Sequence, residues 1–223
     1  MDRALSRSGR DASSVTLVAV TKTRSVEEMR KAIEAGATDV GENKVQEAEA
    51  KKPALDARVR WHLVGHLQKN KAKKAVEIID VIHSVDSVAI GQRIDRLAAE
   101  QDKMQSVLVQ VDLASEETKH GLPENALLPT LEQLGECSHL RVEGLMVLPP
   151  YLDDANEVRP YFRRLRKLSE TGRDLGLLGS ELSMGMSHDF EVAIEEGATI
   201  VRVGTALFGP RPAKVAGTEQ VFN

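Results

Sequence analysis

Short apolar runs alternate with stretches of helical periodicity along the whole chain. The strand-like runs cover residues 16–21, 39–42, 60–65, 81–85, 106–112, 141–146, 181–184 and 199–203. None alternates strictly between apolar and polar, which is the pattern of strands buried on both faces. Between the runs, apolar residues recur at helical spacing: Val26, Met29 and Ile33; Ile90, Ile94 and Leu97; Val158, Phe162, Leu165 and Leu168. Each set puts an apolar stripe on one side of a helix. Ser25 and Glu28 have the spacing of a capping box, and Gly36 suits the left-handed position after the same helix. Eight βα units in 223 residues predict an α/β protein, a single closed (β/α)8 TIM-type barrel. The alternative is a flavodoxin-like open sheet, for which eight parallel strands would be many. No Pro/Gly/Ser-rich linker divides the chain, so one domain is expected over 1–223, with a short lead (1–14) and a short tail (212–223).

An internal echo supports repeated βα units. Ala32-Ile33-Glu34-Ala35-Gly36-Ala37-Thr38 recurs as Ala193-Ile194-Glu195-Glu196-Gly197-Ala198-Thr199. Both copies read as a helix that ends on glycine and turns directly into a strand. Extending the match sets Asn43 opposite Gly204, so both fall at strand exits. Chance reuse of a common turn is the plain alternative.

Composition narrows the field. The chain is 41% hydrophobic, enough for one sizeable core, and its net charge of −4 gives no overall polyanion-binding character. The basic run Lys69-Asn70-Lys71-Ala72-Lys73-Lys74 reads as a solvated helix face rather than a nucleic-acid patch. Aromatic residues are only 3%, which disfavours a base-stacking platform. One cysteine, Cys137, excludes an internal disulfide or a cysteine metal cage and reads as inert. No apolar stretch is long enough to span a bilayer and no signal peptide opens the chain, so a cytoplasmic protein is expected, with no membrane or nucleic-acid partner.

Lys22 closes the first apolar run. A lysine at the carboxyl end of a buried strand is costly unless it pairs, reaches solvent or does chemistry. In a βα barrel that end carries the active site, and an amine held there can form an imine with a carbonyl compound. The last two strands carry the next signal. The segment from Leu182 to Asp189 leaves a strand, passes Gly185 and reaches Ser187 where a helix is due; Val201-Arg202-Val203-Gly204-Thr205 ends the final strand. Barrels commonly bind phosphate between these two loops, through backbone N–H groups and hydroxyls. The plain alternative makes Ser187 an N-cap and Gly204 a turn residue. Arg202 shares a strand face with Gly204 and needs acceptors, from a ligand or from an inward carboxylate such as Glu42. Asn43 offers an amide to a ligand or caps a helix. His62, His66 and His83 read as core or rim groups without metal-ligand spacing. Ser187-His188-Asp189 is no hydrolase triad, because sequence neighbours do not converge in that geometry.

In combination these segments resemble the pyridoxal 5′-phosphate (PLP) homeostasis proteins. The matching stretches are Leu17-Val18-Ala19-Val20-Thr21-Lys22, Gly41-Glu42-Asn43 with Val45-Gln46-Glu47, and His62-Leu63-Val64-Gly65-His66-Leu67-Gln68 with Asn70-Lys71. His83-Ser84-Val85-Asp86, Gly144-Leu145-Met146, Leu182 to Ser187 with Asp189, and Val201 to Thr205 with Phe208-Gly209 continue them in family order. The resemblance implies a fold type III PLP barrel like the N-terminal domain of alanine racemase, without that enzyme's C-terminal β-domain. It implies that Lys22 forms the internal aldimine and that Ser187, Gly204 and Thr205 cradle the cofactor phosphate. Arg202 would then face the pyridine nitrogen, with Asn43 and Met184 lining the ring pocket. Guanidinium only donates, so a ring nitrogen facing it stays unprotonated and makes a weak electron sink. Two departures stand out. Only Asp2 to Gly9 precede the lead into the first strand, where the family carries a full helix, predicting a clipped start or a helix reduced to a turn. Lys44 stands where the family often has tyrosine.

The function implied is a monomeric PLP carrier or buffer in vitamin B6 and amino-acid homeostasis, without strong catalysis, exchanging cofactor with free amino acids or apo-PLP enzymes. The alternative is a PLP-dependent amino-acid racemase, which needs an acid–base group on each substrate face. Lys22 supplies one; the opposing tyrosine of alanine racemase comes from the absent β-domain, and Tyr151 and Tyr161 both lie near the helix after the sixth strand. A lysine-imine aldolase explains Lys22 and the phosphate loops but leaves Arg202 without a task. No metal is expected.

Overall fold

The computed structural model describes residues 1–55, 58–114 and 120–210; the expected tail over 212–223 lies outside them. Nine strands form: β1 (Thr16–Val20), β2 (Asp39–Glu42), β3 (Arg60–Leu63), β4 (Val81–Val85), β5 (Gln105–Asp112), β6 (Leu122–Pro123), β7 (Leu140–Val147), β8 (Glu181–Ser183) and β9 (Ile200–Val203). The two-residue β6 hangs on the end of β5. The other eight pair in parallel in the order β1-β2-β3-β4-β5-β7-β8-β9, and β9 pairs with β1, so the sheet closes. Closure leaves no staff of the barrel with an unpaired edge, and it settles the choice against an open sheet.

The helices are α1 (Asp2–Ser8), α2 (Val26–Glu34), α3 (Val45–Lys51), α4 (Ala72–Ile78), α5 (Val88–Ala99), α6 (Leu127–Gly135), α7 (Arg159–Asp174), α8 (Phe190–Glu195) and α9 (Thr205–Phe208). Among the described residues no helix is long and apolar enough to cross a membrane. Strand residues divide between two layers. Val40, Leu63, Ile82, Val107, Leu145 and Val201 pack outward in a large cluster with helix residues such as Met29, Ile94 and Phe162. Val18, Val20, Val64, Leu108, Met146 and Ile200 form a smaller cluster of their own inside the barrel. Strands buried on both sides need apolar residues at both parities, which is why no strict alternation shows in the sequence.

The local signals hold. Ser25 Oγ accepts from the Glu28 N–H and Glu28 returns a bond from the Ser25 N–H, closing the capping box. The echo is structural: Gly36 and Gly197 take φ of +105° and +101°, and each copy makes the same pair of carbonyl-capping bonds, from Gly36 to Ile33 and Ala37 to Ala32, and from Gly197 to Ile194 and Ala198 to Ala193. The lead differs from expectation. It holds a seven-residue helix rather than a turn, with Ala4 and Leu5 buried in the outer cluster. Arg7 pairs with Glu191 and Glu195 of α8, and Arg10 donates to the carbonyls of Ile194 and Ala198.

Candidate functional site

Four neighbouring strands, β2, β1, β9 and β8, bring most of the predicted residues to one end of the barrel. Their register places them: Val20 pairs with Gly41, and Ala19 pairs with Val203. By register Asn43 falls opposite Lys22 on one side of β1, while on the other side Gly204 falls opposite Val20, two residues before Lys22. Lys22 lies two residues past the end of β1, half-buried in the following turn, and shares the parity of Val18 and Val20.

That turn is braced from outside the barrel. Thr21 donates its hydroxyl to Glu42 Oε1 at 2.7 Å, and the Thr23 N–H donates to Glu47 Oε2 at 2.8 Å. Lys51 Nζ ties both acids together, at 2.7 Å from Glu42 and 3.3 Å from Glu47, and donates to the Thr21 carbonyl at 2.9 Å. Burial pushes the Glu42 carboxyl up while Lys51 and Thr21 hold it down, and the net direction is up. Glu42 is thus committed to the outer side; it is no partner of Arg202, contrary to the ion-pair alternative. Nothing in the local pattern singles out Lys51 among the lysines of the predicted helices.

On the far side, Ser187 Oγ accepts from the N–H groups of Gly204 and Ala206, each at 3.1 Å. Ser187 therefore caps α9, across the barrel seam, instead of its own helix; the residue at the N-cap of α8 is Asp189. A Cβ on Gly204 would sit 3.3 Å from the Val20 carbonyl oxygen, so glycine lets this loop lie close against β1. Thr205 is exposed beside it. Two hydroxyls and two N–H groups thus gather at the exits of β8 and β9, and an anion bound there would replace Ser187 Oγ as the acceptor of those N–H groups.

Asn43 is half-buried and is not a helix cap, since the N-cap of α3 is Lys44. The β3 exit presses on it: a Cβ on Gly65 would lie 2.3 Å from the Asn43 carbonyl oxygen. Met184 departs from expectation. Its side chain is fully buried in the outer cluster, because it follows Leu182 in parity while Ser183 faces inward. Only its backbone can line an inner pocket.

Arg202 is buried inside the barrel, donating Nη1 to Ser183 Oγ at 2.5 Å and Nη2 to the Val147 carbonyl at 2.8 Å. Burial lowers its pKa to about 10, with Asp189 opposing, so it remains a cation at neutral pH. Asp189 itself is pushed up by burial, against the Met186 N–H it accepts from and the nearby Arg202. Ser183, His83, His62 and Asp39 continue from Arg202 as a buried hydrogen-bonded row. Sequence reasoning placed these histidines in the core but could not join them, because the row links strands that are distant in the chain.

Among the described residues, His66, Asp86 and His120 bring ligand atoms within 4.8 Å of one another, a grouping that sequence spacing did not reveal. The two imidazoles stack at 3.6 Å with 13° between their planes, so their in-plane lone pairs run side by side instead of converging on one ion. Burial, then Asp95 and Glu136, raise the Cys137 thiol, consistent with an unreactive side chain. Tyr151 is exposed next to His188, and Tyr161 lies on α7 against the outer cluster.

A closed parallel barrel with a lysine at the exit of its first strand and a buried arginine in its last is of the alanine racemase N-terminal class, and the profile of the alanine racemase N-terminal domain matches residues 3–212. The alanine racemase of Clostridium difficile 630 superposes with a TM-score of 0.75 at 15% identity, covering 95% of this chain and 56% of that one, a likeness of fold alone. The chain belongs to the pyridoxal phosphate homeostasis protein family. The relative so named in Aquifex aeolicus is 43% identical over 213 residues, 95% of this chain and 93% of its own. That of Synechocystis is 41% identical over 201 residues, 89% and 92% of the two chains. PipY of Synechococcus elongatus, solved without PLP, superposes with a TM-score of 0.85 at 42% identity, covering 93% of this chain and 99% of that one. Its structure with PLP bound gives 0.84 at 41%, with the same coverage.

Proposed function

We propose that this protein binds PLP as an aldimine of Lys22 and serves as a reversible PLP carrier in vitamin B6 and amino-acid homeostasis. The donor set fits the cofactor: an amine on β1, an anion cradle across the β8–β9 seam and a buried guanidinium below it. The observation that carries the reading is the convergence of Ser187 Oγ with the Gly204 and Ala206 N–H groups beside the exit of Lys22. The PLP-bound state of PipY supports it.

PLP supplies an aldehyde that condenses with amines. The chain's residues have separate tasks. Lys22 Nζ attacks the aldehyde carbon; a C=N bond forms and water leaves. Attack by the amine of an incoming amino acid reverses the attachment, transferring the C=N bond and releasing the Lys22 amine. The loops at Ser187, Gly204 and Thr205 hold the phosphate through this exchange. Arg202 donates to the ring nitrogen and cannot accept, which keeps that nitrogen unprotonated and disfavours carbanion chemistry. Holding and releasing, rather than racemising, is what such a site does best.

Borohydride reduction of PLP-treated protein, followed by peptide mass mapping, tests the assignment. The phosphopyridoxyl increment is expected on Lys22, and the visible imine band is expected to vanish in Lys22→Ala. An increment on another lysine overturns the site. Rapid loss of chirality on incubating loaded protein with D- or L-alanine overturns the carrier reading in favour of a racemase.

A further inference from the structure

Binding PLP at the barrel mouth uses Arg202 but gives no role to the buried polar row beneath it. We propose that Asp39, His62, His83 and Ser183 are positioning residues, a one-way chain of hydrogen bonds that holds the Arg202 guanidinium and ends on the Asp39 carboxylate. Its effect on the cofactor rests on the function proposed above; the chain itself does not.

The direction of every bond follows from the end groups. Arg202 can only donate, so Ser183 Oγ accepts its Nη1–H at 2.5 Å. The Ser183 hydroxyl proton is then free to point at His83 Nδ1, 2.9 Å away across the barrel from β8 to β4. His83 carries its proton on Nε2 and donates to His62 Nδ1 at 2.8 Å. His62 likewise carries its proton on Nε2 and donates to Asp39 Oδ1 at 2.8 Å. Asp39 Oδ2 accepts from the Thr38 hydroxyl at 2.7 Å, so the carboxylate is held at both oxygens. Running the row the other way would require a second proton on His62, which the tautomer measurement below would reveal, or a protonated Asp39. The facing charges oppose that: Arg60 approaches Asp39 Oδ1 at 3.9 Å, and although burial pushes the Asp39 carboxyl up, the bonds from His62 and Thr38 outweigh it and leave it below its ordinary value. Burial, with the Arg202 and Arg60 charges, keeps His83 neutral.

The arrangement answers a problem specific to a buried arginine. A carboxylate pressed directly against Arg202 would take up the N–H groups that a ligand nitrogen needs. Here the carboxylate of the row stands off behind three neutral groups, and Asp189 is the acid whose charge acts on Arg202. The guanidinium is oriented by the row while it can still meet a ligand at the mouth. Bonds in such a row polarise one another, so a change at Asp39 is felt at Arg202. Asp39 also lines a cavity of about 710 Å³ at the N-terminal ends of β2 and β3, with Arg58, Arg60 and Lys52.

Two measurements test this. Long-range proton–nitrogen spectra of histidine-labelled apo protein at neutral pH are expected to show His62 and His83 both neutral and both protonated on Nε2. A cationic His83 ring, or a proton on Nδ1 of either ring, overturns the chain whatever the protein binds. In PLP-loaded protein, Ser183→Ala is expected to shift the visible band, and Asp39→Asn, which touches no cofactor, to shift it the same way by less. Bands unmoved in both variants, in protein that still takes up PLP and keeps its far-UV circular dichroism, overturn the action on the cofactor. Failure of the wild type to take up PLP defeats the carrier reading instead, and the tautomers still decide the chain.

Discussion

At the scale of single residues, His83 carries the clearest consequence for stability. It is wholly buried, and burial, then the Arg202 and Arg60 charges, hold its pKa well below the ordinary 6.5. The folded protein refuses a proton that the unfolded chain accepts once the pH drops through 6.5, so stability is lost on acidification from that point. The slope approaches about 1.4 kcal/mol per pH unit for one such group. Urea unfolding of the apo protein between neutral pH and the carboxylate range should show that slope, and His83→Gln should flatten it. An equal slope in the variant would assign the dependence to other groups. Arg202 behaves differently: at about 10 its lowered pKa still leaves it charged wherever the protein works.

Elements act through their ends. The same carbonyl-capping turn closes α2 and α8 and sends the chain into β2 and β9, so the sites at Asn43 and Gly204 are delivered by one structural solution used twice. Serine 187 shows the opposite case, a hydroxyl placed by one loop to cap a helix in the next. The first helix adds a prediction of its own. Leu5 is 5% exposed in the outer cluster, and α1 is held to α8 by Arg7, with Arg10 just beyond it donating to the Ile194 carbonyl. Leu5→Ala is therefore expected to cost roughly 2–5 kcal/mol. Thermal unfolding reads that loss, while the wavelength of the PLP band should stay fixed because Leu5 belongs to the outer layer.

For the whole molecule, closure of the sheet is the organising event. Lys22 and Asn43 on one side, and Ser187 and Gly204 on the other, are joined only once β9 pairs with β1. A ligand bound by that seam stabilises the closed barrel over the unfolded chain, by about 2.7 kcal/mol at a hundredfold excess over Kd. PLP should thus raise Tm in wild-type protein in a concentration-dependent way. Lys22→Ala should keep a smaller rise from the phosphate and ring contacts, and no rise in either protein would argue against binding at the seam.

Strand positions, helix stripes, the capping box and the echoed turn were all legible in the sequence, because each depends on residues a few positions apart. Lys22 and the Ser187–Gly204 pair were legible because a barrel places its chemistry at strand exits by rule. Met184 was misjudged for a reason of geometry: its side chain is one parity step from Ser183, and a strand turns successive residues to opposite layers. The Asp39–His62–His83–Ser183–Arg202 row and the Lys51 brace were illegible because their partners lie on different strands and helices. Local pattern thus determined what each segment is and which residues stand at the strand ends. Only the closed barrel decided which side chains meet across its interior, since that depends on register, parity and curvature that no single segment contains.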